Sequence, residues 1–327
     1  MAIKLGGPTM GTSWSATYLP GAESEPDNTL AAGLQATLDA VDASMSTYRD
    51  DSELRRFNRA EVGIWQPVSA EFLKVLAAAL AIGAASEGAY DVSVAPLVNL
   101  WGFGPGRGAA KPPAPERIAE LRAQVGQQYV EVDTAMQRVR KTRPLSLDFS
   151  SIAKGFAVDQ MAGYLQAQQI KDFLVEVGGE MRLAGYSPRG DRWRIAIEQP
   201  TAGARAPAVA LSLREVGLAT SGDYRNFFEW EGQRYSHSID PRSGYPITHD
   251  LVSVTVLAAS TMEADGWATA LEVLGGDDAM RVASARGLAV YFIRRQGDDF
   301  VASHTAAFTP YLESESAAQA ARQGQAR

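Results

Sequence analysis

The chain has 327 residues, with 31 Lys+Arg against 38 Asp+Glu, a net charge of −7, no cysteine and three histidines, His237, His249 and His304. The lack of Cys excludes a disulfide framework, a thiolate nucleophile and Cys-ligated zinc or iron–sulfur sites, and three scattered histidines make no HExxH centre. An acidic balance without a Lys/Arg stripe argues against a nucleic-acid partner, the length can bury the core of one large domain, and any metal is expected to be a hard cation on oxygen ligands.

Residues 12–19 read as a strand. Asn28 can cap a helix whose Leu30, Leu34, Leu38, Val41 and Met45 form one apolar stripe. A short helix follows Asp51-Ser52, and Ser69 caps a longer one with Glu71 in its first turn and Gly88 at its end. Residues 101–115, rich in Gly and Pro, form the longest loop-like stretch and a candidate lid or lobe boundary. Short strands are expected across 128–148, a helix over 151–168 and a strand over 172–177, with a tight turn at Gly178-Gly179 into the next strand. Residues 192–258 read as mostly β, with 251–257 a buried strand. Ser260 and Glu263 form a capping box that opens a helix to about Leu274, and a further helix and a strand over 288–294 finish the core. Runs of strands interrupted by helices give an α+β fold rather than a βαβ succession. The longest apolar run, residues 75–85, falls short of the roughly 20 residues that span a membrane, and no signal-peptide pattern opens the chain. Residues 313–327 are expected to be a disordered tail.

Several short patterns can carry chemistry. Asp265 and Thr269 stand i, i+4 on one helix face, where a carboxylate and a hydroxyl suit Mg²⁺; the alternative is a solvated Asp and a Thr bonded back to the preceding turn. From Asp148 to Gly155, small polar residues lead into a helix whose first N–H groups favour anions, with Lys154 adding charge. The same segment can be a plain cap by Ser150 or Ser151 with Lys154 on a wet face, and Ser151-x-x-Lys154 matches the S-x-x-K signature of serine acyl-enzymes. His237 with Asp240-Pro241-Arg242 offers a general base and a phosphate clamp, or else a structural histidine beside a turn. Val177-Gly178-Gly179-Glu180 lets a backbone approach a ligand, or is simply a hairpin turn. Gly102, Gly104, Gly106 and Gly108 are followed by prolines rather than a helix, which rules out a Rossmann phosphate loop.

The order of the patterns is more specific than any one of them. The chain carries Met10-Gly11-Thr12, Met45-Ser46-Thr47-Tyr48 with Asp51-Ser52-Glu53-Leu54, and Tyr90-Asp91-Val92-Ser93. Pro96-Leu97-Val98 and Trp101-Gly102-Phe103 come next, then Asp148, Ala153-Lys154-Gly155 and Asp159, and then Val177 to Glu180. Thr220-Ser221-Gly222-Asp223-Tyr224, the His237 to Gly244 block and Ala264-Asp265 with Thr269 complete the series. Over about residues 7–311 this series resembles the FAD:protein FMN transferase family, also called ApbE or thiamine-biosynthesis lipoprotein.

The resemblance implies a T-fold-like, two-lobed α+β architecture over residues 7–312, with mixed or antiparallel sheets flanked by helices and a cleft between the lobes. It implies Mg²⁺-dependent transfer of the FMN half of FAD to a Thr or Ser hydroxyl of a target protein, with release of AMP. By position, Asp265, Thr269 and the backbone carbonyl of Ser151 look like metal ligands, and His237 like the catalytic base acting beside Asp265. Met10, Tyr48, Tyr90, Asp91, Asp148, Lys154 and Ile239 look like FAD contacts, with Glu180, Ser221, Gly222 and Asp223 in the same cleft. Family partners are membrane subunits of electron-transport complexes and a related maturation factor. Relatives often carry a lipobox Cys before the first block, so this Cys-free chain is expected to be the periplasmic form after removal of signal and anchor. The alternatives are a flavin-binding protein without transfer, an FAD pyrophosphatase, and an acyl-enzyme on Ser151 and Lys154.

Overall fold

The computed structural model describes residues 2–21, 25–105, 111–200, 207–222 and 227–313. The first part of the chain forms β1 (Ile3–Thr9), β2 (Thr12–Tyr18), α1 (Asp27–Met45), α2 (Glu53–Arg59), β3 (Gln66–Pro67), α3 (Ala70–Ala85), α4 (Ala95–Leu100) and α5 (Pro115–Arg122). Next come β4 (Val130–Asp133), β5 (Arg138–Lys141), α6 (Ala153–Ala167), β6 (Phe173–Val177), β7 (Glu180–Ala184), β8 (Trp193–Glu198) and β9 (Pro207–Leu213). The last part holds β10 (Val216–Ser221), β11 (Phe227–Trp230), β12 (Gln233–Ser236), β13 (Leu251–Ala258), α7 (Thr261–Leu274), α8 (Gly276–Ala285), β14 (Ala289–Gln296) and β15 (Asp299–His304).

The central sheet has the order β1-β2-β6-β7-β10-β13-β14-β15. Every neighbouring pair in it is antiparallel, so the fold is α+β as the strand runs predict. Alternation along its strands builds two cores, because successive side chains point to opposite faces. Val254 and Val256 of β13 and Val290 and Phe292 of β14 join α1, α3, α6 and α7 on one face. Leu257, Tyr291 and Ile293 point the other way, onto Trp193, Leu211 and Leu213 of the β8–β9 ribbon and onto Phe308. A third cluster, around Leu97, Trp101, Ile118 and Ile239, joins α4 and α5 to the β11–β12 ribbon. Trp101 Nε1 donates to the Gly244 carbonyl at 2.9 Å and anchors the loop after β12 to this cluster.

The Ser caps of α2, α3 and α7 form as their sequences predict: Ser52, Ser69 and Ser260 accept from the N–H groups of Arg55, Phe72 and Glu263. Two cap expectations fail. Helix α1 has Pro26 rather than Asn28 at its cap, and Asp27 in its first turn accepts from the Tyr18 hydroxyl at 2.7 Å. Helix α6 begins at Ala153 with no side-chain cap from Ser150 or Ser151, because the carboxylate that serves it comes from another helix. The loop expected over 101–115 is turn and coil where described and ends at Pro115, which opens α5. The tail expected to be disordered lies outside the described residues beyond Glu313.

Gly155 permits the close approach of α6 to α7. A Cβ there would meet the Thr261 carbonyl oxygen and stand 2.7 Å from Asp265 Cβ. Gly155→Ala is therefore expected to cost about 1–3 kcal/mol, the usual penalty of overpacking, read as a lower Tm. An unchanged melting curve would show that the two helices have room to separate.

Candidate active site

A cleft of about 370 Å³ opens where the start of α6, the Asp265 to Val273 face of α7, the β6–β7 turn, the end of β10 and the loop after β12 meet. Its walls include Tyr48, Tyr90, Asp91, Asp148, Ser151, Lys154, Glu180, Ser221, Gly222, His237, Ile239, Asp265 and Thr269. A second cavity of about 590 Å³ shares Tyr48, Ser150 and Lys154 with it and adds Met10. The structure thus brings together residues read from separate segments; Asp223 lies outside the described residues.

Helix α7 carries the acidic centre. Asp265 is 5% exposed, and its Oδ2 accepts the Gly155 backbone N–H at 2.9 Å. Burial pushes its carboxyl up, against the pull of Lys154 and of that hydrogen bond, and Asp159 adds repulsion. Thr269, one turn on, shares a 3.0 Å hydrogen bond with the Ser221 hydroxyl across the cleft. The reading of a solvated Asp and a back-bonded Thr does not hold: the Asp is buried and the Thr reaches a strand. The Ser151 hydroxyl meets the Tyr90 hydroxyl at 2.9 Å, and burial raises the Tyr90 phenol well above its ordinary value. By taking the Gly155 N–H, Asp265 claims a donor that the Ser151 carbonyl, four residues back, could otherwise receive.

Lys154 is not on a wet face. Its Nζ donates to Glu180 Oε1 at 2.7 Å. Burial alone would lower its pKa, but the Glu180 and Asp265 charges outweigh that and hold it above the usual lysine range. An ammonium so held cannot take a proton from Ser151, whose hydroxyl is engaged by Tyr90, so the geometry does not support the S-x-x-K acyl-enzyme. Glu180 is only 3% exposed, and its Oε2 has no hydrogen-bond partner among the described residues. Burial first, and then the Asp265 charge, push Glu180 up to about 7 despite Lys154.

These features fit a small divalent cation. Two desolvated carboxylates, one with an orphaned oxygen, face a hydroxyl pair in one cleft. The carboxylate and hydroxyl oxygens on these walls are the donor types that hard cations take.

Glu180 also makes stability depend on pH. Its pKa is raised on folding, so between about 4.5 and about 7 the native state holds more protons than the unfolded chain. The stabilisation is full below the unfolded value and is lost as pH rises through about 7. The difference in unfolding free energy between the parent and Glu180→Gln, measured without added metal, should therefore fall from about pH 5 to about pH 8, by a few kcal/mol in order of magnitude. A flat difference would contradict the raised value.

Other residues have mixed roles. Asp148 Oδ1 accepts the Ser150 N–H at 2.8 Å, and the Asp148 N–H reaches the Val92 carbonyl at 2.7 Å, joining two loops of the wall. Asp91 spends both oxygens inside the protein, on Ser93 N and Oγ and on Gln127 N, so it shapes the Tyr90 loop as well as lining the cleft. Met10 and Gly11 form the β1–β2 turn with φ of 44° and 71°, the left-handed pair of a tight hairpin. Tyr48 is 75% exposed at the rim, a ring open to stacking. His237 is half-buried, edge-on to Phe103, and follows β12 directly. Ser238 beside it donates to the buried Glu272 of α7 at 2.9 Å. Sequence reasoning missed Glu272, although it lies seven residues after Asp265 and so on the same helix face. Arg242 forks onto Asp240, the residue that starts its own turn, and does not line the cleft.

Fold and cleft define an α+β protein with buried Asp265 and Glu180 in one cleft, lined also by Lys154 at the start of α6 and by His237. The ApbE family model matches residues 10–292. The FAD:protein FMN transferase of Haemophilus influenzae is 45% identical over 95% of this chain and 92% of its own length, and that of Escherichia coli K12 is 41% identical over 95% and 89%. The structure of the flavin transferase ApbE from Vibrio cholerae superposes with a TM-score of 0.89 at 41% identity, covering 95% of this chain and 99% of that one. The apo Pseudomonas stutzeri flavinyl transferase ApbE gives 0.88 at 41%, over 96% and 98%. The chain belongs to the ApbE family, whose named relatives are transferase enzymes.

Proposed function

We propose that this protein is an Mg²⁺-dependent FAD:protein FMN transferase. The carrying observation is the convergence of Asp265, Thr269, Ser151, Lys154, Glu180 and His237 on one cleft. Asp265, Thr269 and the Ser151 carbonyl would hold the Mg²⁺, which when bound neutralises charge on the pyrophosphate oxygens. Lys154 adds a fixed positive charge to an otherwise acidic wall, where an anionic substrate needs it. Tyr48 and Met10 offer a flat ring and a thioether to the flavin or the adenine. The acceptor hydroxyl oxygen bonds to the FMN-side phosphorus, and its proton passes to His237. The bond from that phosphorus to the bridging oxygen breaks, and AMP leaves with that oxygen.

The acceptor in this reading is a Thr or Ser of a membrane electron-transport subunit or a related maturation factor. No helix among the described residues is long and apolar enough to cross a membrane. The same proposal includes a single two-lobed unit over residues 7–312 and a periplasmic, lipid-anchored setting, both resting on the family resemblance. Incubation with FAD, Mg²⁺ and a candidate acceptor should give a fluorescent acceptor band on a denaturing gel and equimolar AMP. AMP without a labelled band, for any acceptor tried, would favour a pyrophosphatase. Tight FAD binding with no AMP would favour a flavin-storage protein.

A further inference from the structure

Helices α6 and α7 cap each other. Asp265 of α7 accepts the Gly155 N–H of α6 at 2.9 Å. Asp159 of α6 returns the exchange: its Oδ1 accepts the Thr261 N–H and its Oδ2 the Met262 N–H, each at 2.9 Å. On each helix the carboxylate stands four residues after a capped N–H, Gly155 with Asp159 and Thr261 with Asp265, so both exchanges share one contact face. That face has no slack, because a Cβ on Gly155 would collide with the first turn of α7.

The first four N–H groups of α7 are all met. Ser260 takes that of Glu263 and the Ser260 carbonyl that of Ala264, but Ser260 belongs to α7 and moves with it. Asp159 takes the other two from a different helix, so it is the cap that fixes where α7 starts relative to α6. Ser151 and Lys154 stand at the start of α6, and Asp265 and Thr269 stand on α7. We propose that Asp159 is a positioning residue for the cation centre: by holding α7 in axial register on α6, it sets the distance of Asp265 and Thr269 from the Ser151 carbonyl. Asp159 does not line the cleft, and it takes over the α7 dipole end, which leaves Asp265 with one backbone donor and its remaining valence for a cation.

The inference rests on the proposed cation site, and the test separates the two. Mn²⁺ stands in for Mg²⁺, and its binding to the full chain with FAD is followed by the loss of the free Mn²⁺ EPR signal. The parent should bind and Asp265→Ala should not; binding by Asp265→Ala at parental affinity sinks the site and with it this inference. Asp159→Asn keeps one acceptor oxygen and should weaken Mn²⁺ by about 10- to 100-fold, the range for partners that orient a ligand. Its transfer rate should then recover towards the parental value at high Mg²⁺. Asp159→Ser, with a hydroxyl acceptor, serves if the Asn variant does not fold. Parental Mn²⁺ affinity in a folded Asp159 variant, even one with a lower Tm, would overturn the inference and leave Asp159 as an ordinary helix cap.

Discussion

Asp265→Asn is expected to lower flavin transfer by about 10³-fold or more while the fold stays as stable as the parent, or becomes more stable. The two halves have one cause. Asp265 is buried, and burial pushes its pKa up against both Lys154 and the Gly155 N–H. A carboxylate in that position costs the folded state free energy that the protein does not recover from its own contacts. Asn keeps an oxygen for the Gly155 N–H and removes the charge, so the cap survives and the penalty goes. In the proposed function the charge would be matched by the cation that binds there. In the parent, added Mg²⁺ should raise the Tm by mass action, and in Asp265→Asn that shift should vanish. Parental transfer by the variant at limiting Mg²⁺ would remove Asp265 from the metal site, and a collapse in Tm would make the carboxylate structural.

What the sequence could reveal of this site was what lies within one turn of a helix. Asp265 and Thr269 share a face because they are four residues apart, and the Ser260 cap that starts their helix is a local pattern. What gives those residues their chemistry was not local. The Lys154–Glu180 pair spans 26 residues, Tyr90–Ser151 spans 61 and Ser221–Thr269 spans 48, and no spacing rule predicts such meetings. The cap of α6 is non-local for the same reason: Ser150 and Ser151 offer a local cap, but Asp265, 110 residues beyond Gly155, supplies the one that forms. Edge strands were the other gap. β1 contains Gly6, Gly7 and Pro8, which carry no strand pattern and are tolerated because β1 pairs only with β2. β15 is largely exposed at the opposite edge and lacks the apolar run that marks the buried β13. The family resemblance bridged these gaps for the cleft because it compares whole series of blocks, whereas roles such as those of Glu272 and Asp159 emerged only from packing.

His237→Ala is expected to slow transfer to an acceptor hydroxyl by about 10²- to 10⁴-fold and to leave FAD binding within a few-fold of the parent. Rigid parts place the imidazole. The loop that carries it is pinned at one end by Ser238 on Glu272 and further along by the Trp101 indole on the Gly244 carbonyl. Phe103 meets the ring edge-on and limits its rotation. Glu272 lies on α7 with Asp265, so one helix fixes both Asp265 and the loop that carries His237. In the proposed mechanism a base so held would act on the proton of the incoming hydroxyl, whereas FAD binding would draw on Lys154, Tyr48 and the acidic wall that line the same cleft. Loss of the imidazole should therefore fall on kcat and be partly reversed by added imidazole. Equal losses in FAD affinity and in transfer, with no rescue, would make His237 a binding residue and return the proton to solvent.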